Sequence, residues 1–358
     1  MSTYLIPIKT AIFLFPFIAF LFTFPFAIYQ YRKHGYINKL RVFILYSFLL
    51  FLITAYFLVI LPLPKTRDIR SLQKAGTKHY QLIPFNFIHD FIKETNIDFQ
   101  NIHTYKYILK DRSFLQAAFN AILLTPLGIY LRYYFKKDLK KTVLITFLIS
   151  LFFEITQLSA LYGFYNAPYR IFDIDDLILN TLGGFIGYWI APMFTFFLPN
   201  SSNLDKNIDL EVLKVGIFRR FFALGIDWLI LSIFLNKNTN FIEKAFGIFI
   251  YFILIVYITN GLTLGKAIVR IKIKGLYKKL TLKEVVLRYG ILYFGIIGGN
   301  YILKGVLTFT NNELIYSVVS IFGFIINIIL IFHFIFCIIT NNRFFYEKLS
   351  HTRNIIIK

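Results

Sequence analysis

Apolar residues in this chain gather into long unbroken runs, not into the short alternations of a half-buried strand or the single apolar stripe of a surface helix. Nine such runs lie at 11–29, 42–61, 114–134, 142–160, 177–197, 222–235, 245–260, 285–303 and 314–340. Most approach the roughly 20 residues that a helix needs to cross a bilayer core. Stop signals separate them, such as Pro62 and Pro64 after the second and the turn-rich PNSSNLDKNIDLEVLKV after the fifth. The first run lacks an Ala-x-Ala-type cleavage site and is long for a signal peptide, so it reads as a helix. The pattern predicts an all-α polytopic membrane protein of about nine transmembrane helices in two helical bundles. Residues 1–198 form the first, 199–214 a cytoplasmic linker and 215–358 the second.

Two polar stretches interrupt this plan. Residues 65–112 contain LIPFNFIHDF and predict one short amphipathic helix. Residues 263–282 are basic, and the alternation in IVRIKIKGL predicts a strand or interfacial element at the membrane face.

Composition strengthens the membrane reading: 57% of the 358 residues are hydrophobic and 20% aromatic, which overrides the two or three soluble domains that length alone implies. A single cysteine, Cys337, excludes a disulfide framework and any Cys-based zinc site. The net charge of +21 is carried by Lys and Arg between the apolar runs. No nucleic-acid-binding motif accompanies it, so anionic membrane lipids are the expected partner and nucleic acid is not. The positive-inside rule puts Arg32, Lys33, Arg132, Lys136, Arg219, Lys266, Arg343 and their neighbours in the cytoplasm. The expected protein is therefore a multi-pass protein of the cell membrane, with its N-terminus outside and its C-terminus cytoplasmic. Residues 65–112 and the loop holding Arg170 then lie outside.

Candidate chemistry centres on FEITQLSALYGFYNAPYRIFDIDDLILNTLGGFIG, residues 153–187. Ionisable groups at membrane depth are costly and point to function. Glu154 stands twelve residues into the fourth run, roughly 18 Å along a core about 30 Å thick. Gln157 shares its helical face. Asp173, Asp176 and Asn180 form one stripe at the start of the fifth run, where Gly183 and Gly187 permit close helix approach. Asn120 lies two turns into the third run, which LLTPLG at 123–128 kinks. All of these are expected to face one extracytoplasmic pocket. In one reading, Glu154 is a proton donor beside an Arg170-anchored aspartate, suited to acid–base work, proton coupling or gripping a polar headgroup. In the other, Arg170 bridges the aspartates, Asp173 caps a helix, and Glu154 with Gln157 joins helices. No metal or cofactor is expected; a carboxylate-only Mg²⁺ or Ca²⁺ site from Asp173, Asp175 and Asp176 is the weaker alternative.

Pro84-Phe85, Asn120 with Pro126-Leu127-Gly128, Glu154-x-x-Gln157, Arg170, Asp173, Asp176, Asn180 and Gly183-Gly184-x-x-Gly187 resemble the VanZ family pattern over about residues 40–198. The resemblance implies a bacterial envelope membrane protein linked to tolerance of lipoglycopeptides such as teicoplanin, with no settled reaction.

In the second half, Arg220 and Asp227 lie seven apart on one helical face. Gly261-Leu262-Thr263-Leu264-Gly265-Lys266, Arg288 and an ending FYEKLSHT follow. These resemble the RDD family over about residues 215–358, with Glu347 where that family has an aspartate. The resemblance hints at transport. Asp227 then joins a proton or cation path, or else pairs with Arg220 or Arg288. Ala267 follows Lys266, so the turn is not a phosphate-binding P-loop. The histidines form no ligand pair, His333 reads as a packing residue, and no Gly-x-Ser-x-Gly or Cys–His arrangement points to nucleophilic catalysis. Three functions stay open: an envelope protein whose pocket engages a lipid-linked or lipidated molecule, a cation/proton antiporter, and a membrane-embedded hydrolase or transferase. Oligomeric state is not legible.

Overall fold

Every predicted apolar run is helical in the computed structural model, which describes residues 2–95, 97, 101–206, 208–210, 212–235, 240–309, 312–340 and 342–357. Asn207 and Glu211 of the predicted linker, and the tail cation Lys358, lie outside the described residues. Eight helical segments among the described residues are long and apolar enough to cross a membrane. The segment over the sixth run, Ile217–Phe234, is a helix of 18 residues but carries Arg219, Arg220 and Asp227, and it is not one of the eight. Outward-facing side chains such as Phe20 (79% exposed) and Phe332 (68% exposed) are apolar, as lipid contact requires. The chain is an all-α polytopic membrane protein.

It divides into two compact units: Met1–Phe24 with Asn38–Asn207, and Pro25–Ile37 with Ile208–Lys358. Helix α1 (Ser2–His34) is shared between them.

In the first unit, α2 (Lys39–Ile60) starts at Asn38, whose side chain accepts the N–H groups of Leu40 and Arg41. The polar stretch that follows holds strand β1 (Tyr80–Gln81), the amphipathic helix α3 (Asn86–Glu94) and a 3₁₀ segment at Ile102–Lys110. The third run is broken as LLTPLG predicts: α4 (Arg112–Leu123) ends at Leu124, and α5 (Thr125–Tyr133) begins with Pro126 in its first turn, where no N–H is needed. Asp138 caps α6 (Leu139–Leu158), and a left-handed turn α7 (Ala160–Gly163) closes it. Strand β2 (Phe172–Asp173) pairs in parallel with β1 and leads into α8 (Ile174–Thr195).

Helix α8 is the hub of this unit, packed on α4, α5 and α6. Its glycines make that possible. A Cβ on Gly183 would strike the Ala121 carbonyl, one on Gly187 the Thr125 carbonyl, and one on Gly128 of α5 the Gly184 carbonyl. Backbone approach this close needs small residues, as in other membrane helix pairs. Beside the seam, Ala55, Val59, Leu124, Leu127, Leu131 and Phe153 form an apolar core.

The second unit contains α9 (Ile217–Phe234), α10 (Phe241–Ile248), a π-helical stretch at Phe249–Ile255, α11 (Val256–Ile258) and α12 (Leu264–Ile268). Strand β3 (Ile271–Lys274) falls within the predicted alternation. Helix α13 (Leu282–Tyr289) continues through a π-helical stretch at Gly290–Gly298 into α14 (Gly299–Phe309). Helices α15 (Glu313–Thr340) and α16 (Phe345–Leu349) follow, and β4 (Arg353–Ile356) pairs antiparallel with β3. Phe252, Ile273, Val285, Tyr289 and Tyr293 anchor its core.

Candidate functional site

Helix α6 turns a polar stripe toward α8. Thr142, Thr146, Ser150 and Glu154 recur every four residues and all are buried, so they share one face. Thr146 lies against Gly184, and Ser150 accepts a hydrogen bond from Asn180 Nδ2 at 3.0 Å. Glu154, at the top of the stripe, accepts the backbone N–H of Asp173 through Oε2 at 2.9 Å. Sequence reasoning found Glu154 and missed the stripe beneath it, although the four-residue spacing of small polar residues in an apolar helix displays it.

The three aspartates at the start of α8 have three separate tasks. Asp173 is the N-cap, accepting the Asp175 N–H at 2.9 Å. Burial pushes its carboxyl above the ordinary value; the Asp175 N–H opposes this, and the charges of Asp175 and Asp90 add to it. Asp175, at 2% exposure, accepts the N–H groups of Phe85 (2.6 Å) and Phe87 (2.8 Å). It thereby holds the N-terminus of α3, where Phe85 adopts a left-handed backbone, φ 64°. Asp176 accepts from Asn120 Nδ2 of α4. Asn120, Asp173, Asp175 and Asp176 line a small cavity of about 70 Å³ with Asp90.

Arg170 does not bridge the aspartates. Among the described residues it makes no ion pair, and its Nη2 donates to the Leu61 carbonyl at 2.7 Å. The loop therefore closes on the end of α2, leaving the guanidinium at the wall of a larger cavity. That cavity, about 600 Å³, is lined by Lys110, Arg112, Arg170, Asn120 and Asp176 on its polar side. Leu58, Leu61 and Phe119 supply apolar wall. Gln157 and Asn180, expected at the same pocket, line neither cavity: Gln157 donates to the Val59 carbonyl at 3.3 Å and Asn180 to Ser150. Glu154 lines neither as well and acts behind Asp173. No group of three or more His, Cys, Asp or Glu among the described residues could hold a metal ion.

In the second unit Arg220 and Asp227 part company. Asp227, fully buried, accepts from Tyr251 Oη (2.8 Å), the Gly265 N–H (2.7 Å) and Thr263 Oγ1 (2.6 Å), with Lys266 Nζ at 3.9 Å. Among the described residues it pairs with neither Arg220 nor Arg288; Tyr251 and the turn at 263–265 occupy its oxygens. A Cβ on Gly265 would strike the Ala223 carbonyl and Asp227 itself, which explains the glycine in that turn. Arg220 and Arg288 converge instead on Glu347, at 3.1 and 2.7 Å. Asn354 adds a third donor at 2.8 Å and the Phe344 N–H a fourth at 3.1 Å. Burial pushes Glu347 up, but the Arg288 and Arg220 guanidiniums outweigh it and hold the carboxyl below its ordinary value.

Residues 48–197 match the family model described as VanZ/LLP1. The match spans the seam, the aspartates and the larger part of both cavity linings, and it does not reach the RDD-like motifs of the second unit. No curated protein and no solved structure matches the chain.

Proposed function

We propose, from a chain whose residues 48–197 are VanZ/LLP1-like, that the larger cavity of the first unit receives the anionic head of a lipid-linked or lipidated envelope molecule. On this reading the protein lowers susceptibility to lipoglycopeptides such as teicoplanin. The observation that carries it is the lining: three cations, Lys110, Arg112 and Arg170, against one carboxylate, Asp176, beside an apolar wall. A headgroup and the first part of a lipid tail need that combination. Arg170 and Arg112 hold the anion, Asn120 and Asp176 orient it, and Glu154 fixes Asp173 and so the position of α8. The cavity faces the outside of the cell membrane, with the N-terminus outside and the C-terminus in the cytoplasm.

The test is susceptibility in a Gram-positive host expressing wild type, Arg170→Gln and Asp176→Asn at equal membrane abundance. Teicoplanin tolerance above vancomycin tolerance, lost in both variants, supports the reading. Tolerance unchanged by expression of any version overturns it.

Antiporter chemistry through Asp227 is less well supported, since three hydrogen-bond donors and Lys266 already occupy that carboxylate. A hydrolase or transferase reading would rest on the cavity-lining Asp176, and turnover of an envelope lipid abolished by Asp176→Asn would favour it.

A further inference from the structure

A further cavity, of about 390 Å³, is lined wholly by residues of the second unit. Arg220, Lys266 and Arg288 line it, with Glu347 as the one carboxylate in the wall. Glu347 serves both guanidiniums, and Lys266 has Asp227 at 3.9 Å behind it. Counting Asp227, three cations meet two carboxylates, so one positive charge stays uncompensated. Such a charge in apolar surroundings is costly. Arg288 is 5% exposed, and its Nε, buried, has no hydrogen-bond partner among the described residues.

Apart from Asn354 and the tyrosines Tyr289 and Tyr346, the remaining wall is apolar. Phe221 and Leu224 of α9 and Ile338 of the membrane-spanning-length helix α15 line the cavity while standing 71%, 37% and 50% exposed. Phe334 and Leu292 continue the wall. A bare anion would match only the three cations, whereas an anion that carries an acyl chain matches both the cations and the exposed apolar rim. Basic pockets between transmembrane helices are known to take anionic lipid heads.

We infer that the second unit holds one anionic membrane lipid, its phosphate at Arg220, Lys266 and Arg288 and an acyl chain along Phe221, Leu224 and Ile338. The lipid supplies the missing negative charge. The site is separate from the one proposed in the first unit and stands or falls without it.

The test is photo-crosslinking of the purified full-length protein in phosphatidylcholine nanodiscs doped with a diazirine-bearing phosphatidylglycerol, read out by peptide mass spectrometry. Peptides of α9 and the end of α15 should be labelled, and unlabelled phosphatidylglycerol should compete where phosphatidylcholine does not. Arg220→Gln, which removes charge-assisted hydrogen bonds, should cut that labelling about tenfold. Leu224→Trp, which fills the exposed mouth and leaves the Arg–Glu network untouched, should cut it as well, so a folding defect in the first variant does not decide the outcome. Arg170→Gln should leave it unchanged even if it abolishes drug tolerance. Equal labelling by a phosphatidylcholine probe, full competition by inorganic phosphate, or labelling indifferent to both second-unit variants would overturn the inference.

Discussion

Glu154 and Asp173 are joined by one hydrogen bond, Oε2 to backbone N–H at 2.9 Å, which ties a buried carboxylate of α6 to the residue that starts α8. An amide oxygen can accept that bond as well as a carboxylate can; a methyl group cannot. Glu154→Gln is therefore expected to fold with near-wild-type stability, and Glu154→Ala to lose about 1–3 kcal/mol, the cost of a buried donor left without a partner. Thermal unfolding in detergent separates the two. Equal loss in both would mean that the charge of Glu154, and not its acceptor, holds α8.

Asp175 reaches across 90 and 88 residues to the N–H groups of Phe85 and Phe87. Asp175→Ala should release the start of α3 and raise amide hydrogen exchange over residues 86–94. Asp176→Asn should leave that exchange alone, since Asp176 faces Asn120. Protection of α3 unchanged by Asp175→Ala would show that packing alone holds the helix.

The α5–α8 seam sets a steric prediction. Gly187→Ala and Gly128→Ala drive a methyl group into backbone that has no room to yield, and each should cost at least the roughly 1–3 kcal/mol of an overpacked core. Gly225→Ala in α9, with nothing within 4 Å of its added carbon, should be neutral or mildly stabilising. The fraction of monodisperse protein in size-exclusion chromatography gives the comparison, and a seam variant behaving like Gly225→Ala would refute the tight approach.

Glu347 contributes to the pH dependence of the second unit. Its folded-state carboxyl lies below the ordinary value of 4.5, so the stabilisation it brings is complete above that value. It declines as pH falls below about 4.5 and is lost as pH passes through the lower folded value. Glu347→Gln leaves the buried Arg288 and the half-buried Arg220 without their carboxylate and should cost about 3–5 kcal/mol at neutral pH. The variant should also show a smaller acid-dependent fall in melting temperature between pH 5 and pH 3, the remainder coming from carboxylates such as Glu284. An acid profile identical to wild type would assign that fall to other carboxylates.

What the sequence disclosed followed from local pattern. The fourth run, read as 142–160, is the helix Leu139–Leu158, and the Thr125-Pro126 break divides α4 from α5 as expected. Asp173 as a cap was legible for the same reason, since a cap bonds its own neighbours. Long-range choices were not. Nothing in the spacing says that Arg170 prefers the Leu61 carbonyl to an aspartate, or that Arg220 finds Glu347, 127 residues on, while Asp227 finds the 263–265 turn. Strand β4 escaped notice because four residues have meaning as a strand only beside β3.

Helix α1 carries a consequence for how this protein could be divided. Its residues beyond Phe24 belong with the second unit, where Tyr31 stacks on Arg219 at 4.3 Å and Gly35 offers its carbonyl to the same guanidinium. A gene split at residues 199–214 would give a first product burdened with an orphaned helix end. The second product would carry an Arg219 stripped of its ring and of one of its three carbonyls. A cut at residues 199–214 therefore does not follow the boundary of the second unit, which takes residues 25–37 from the start of the chain.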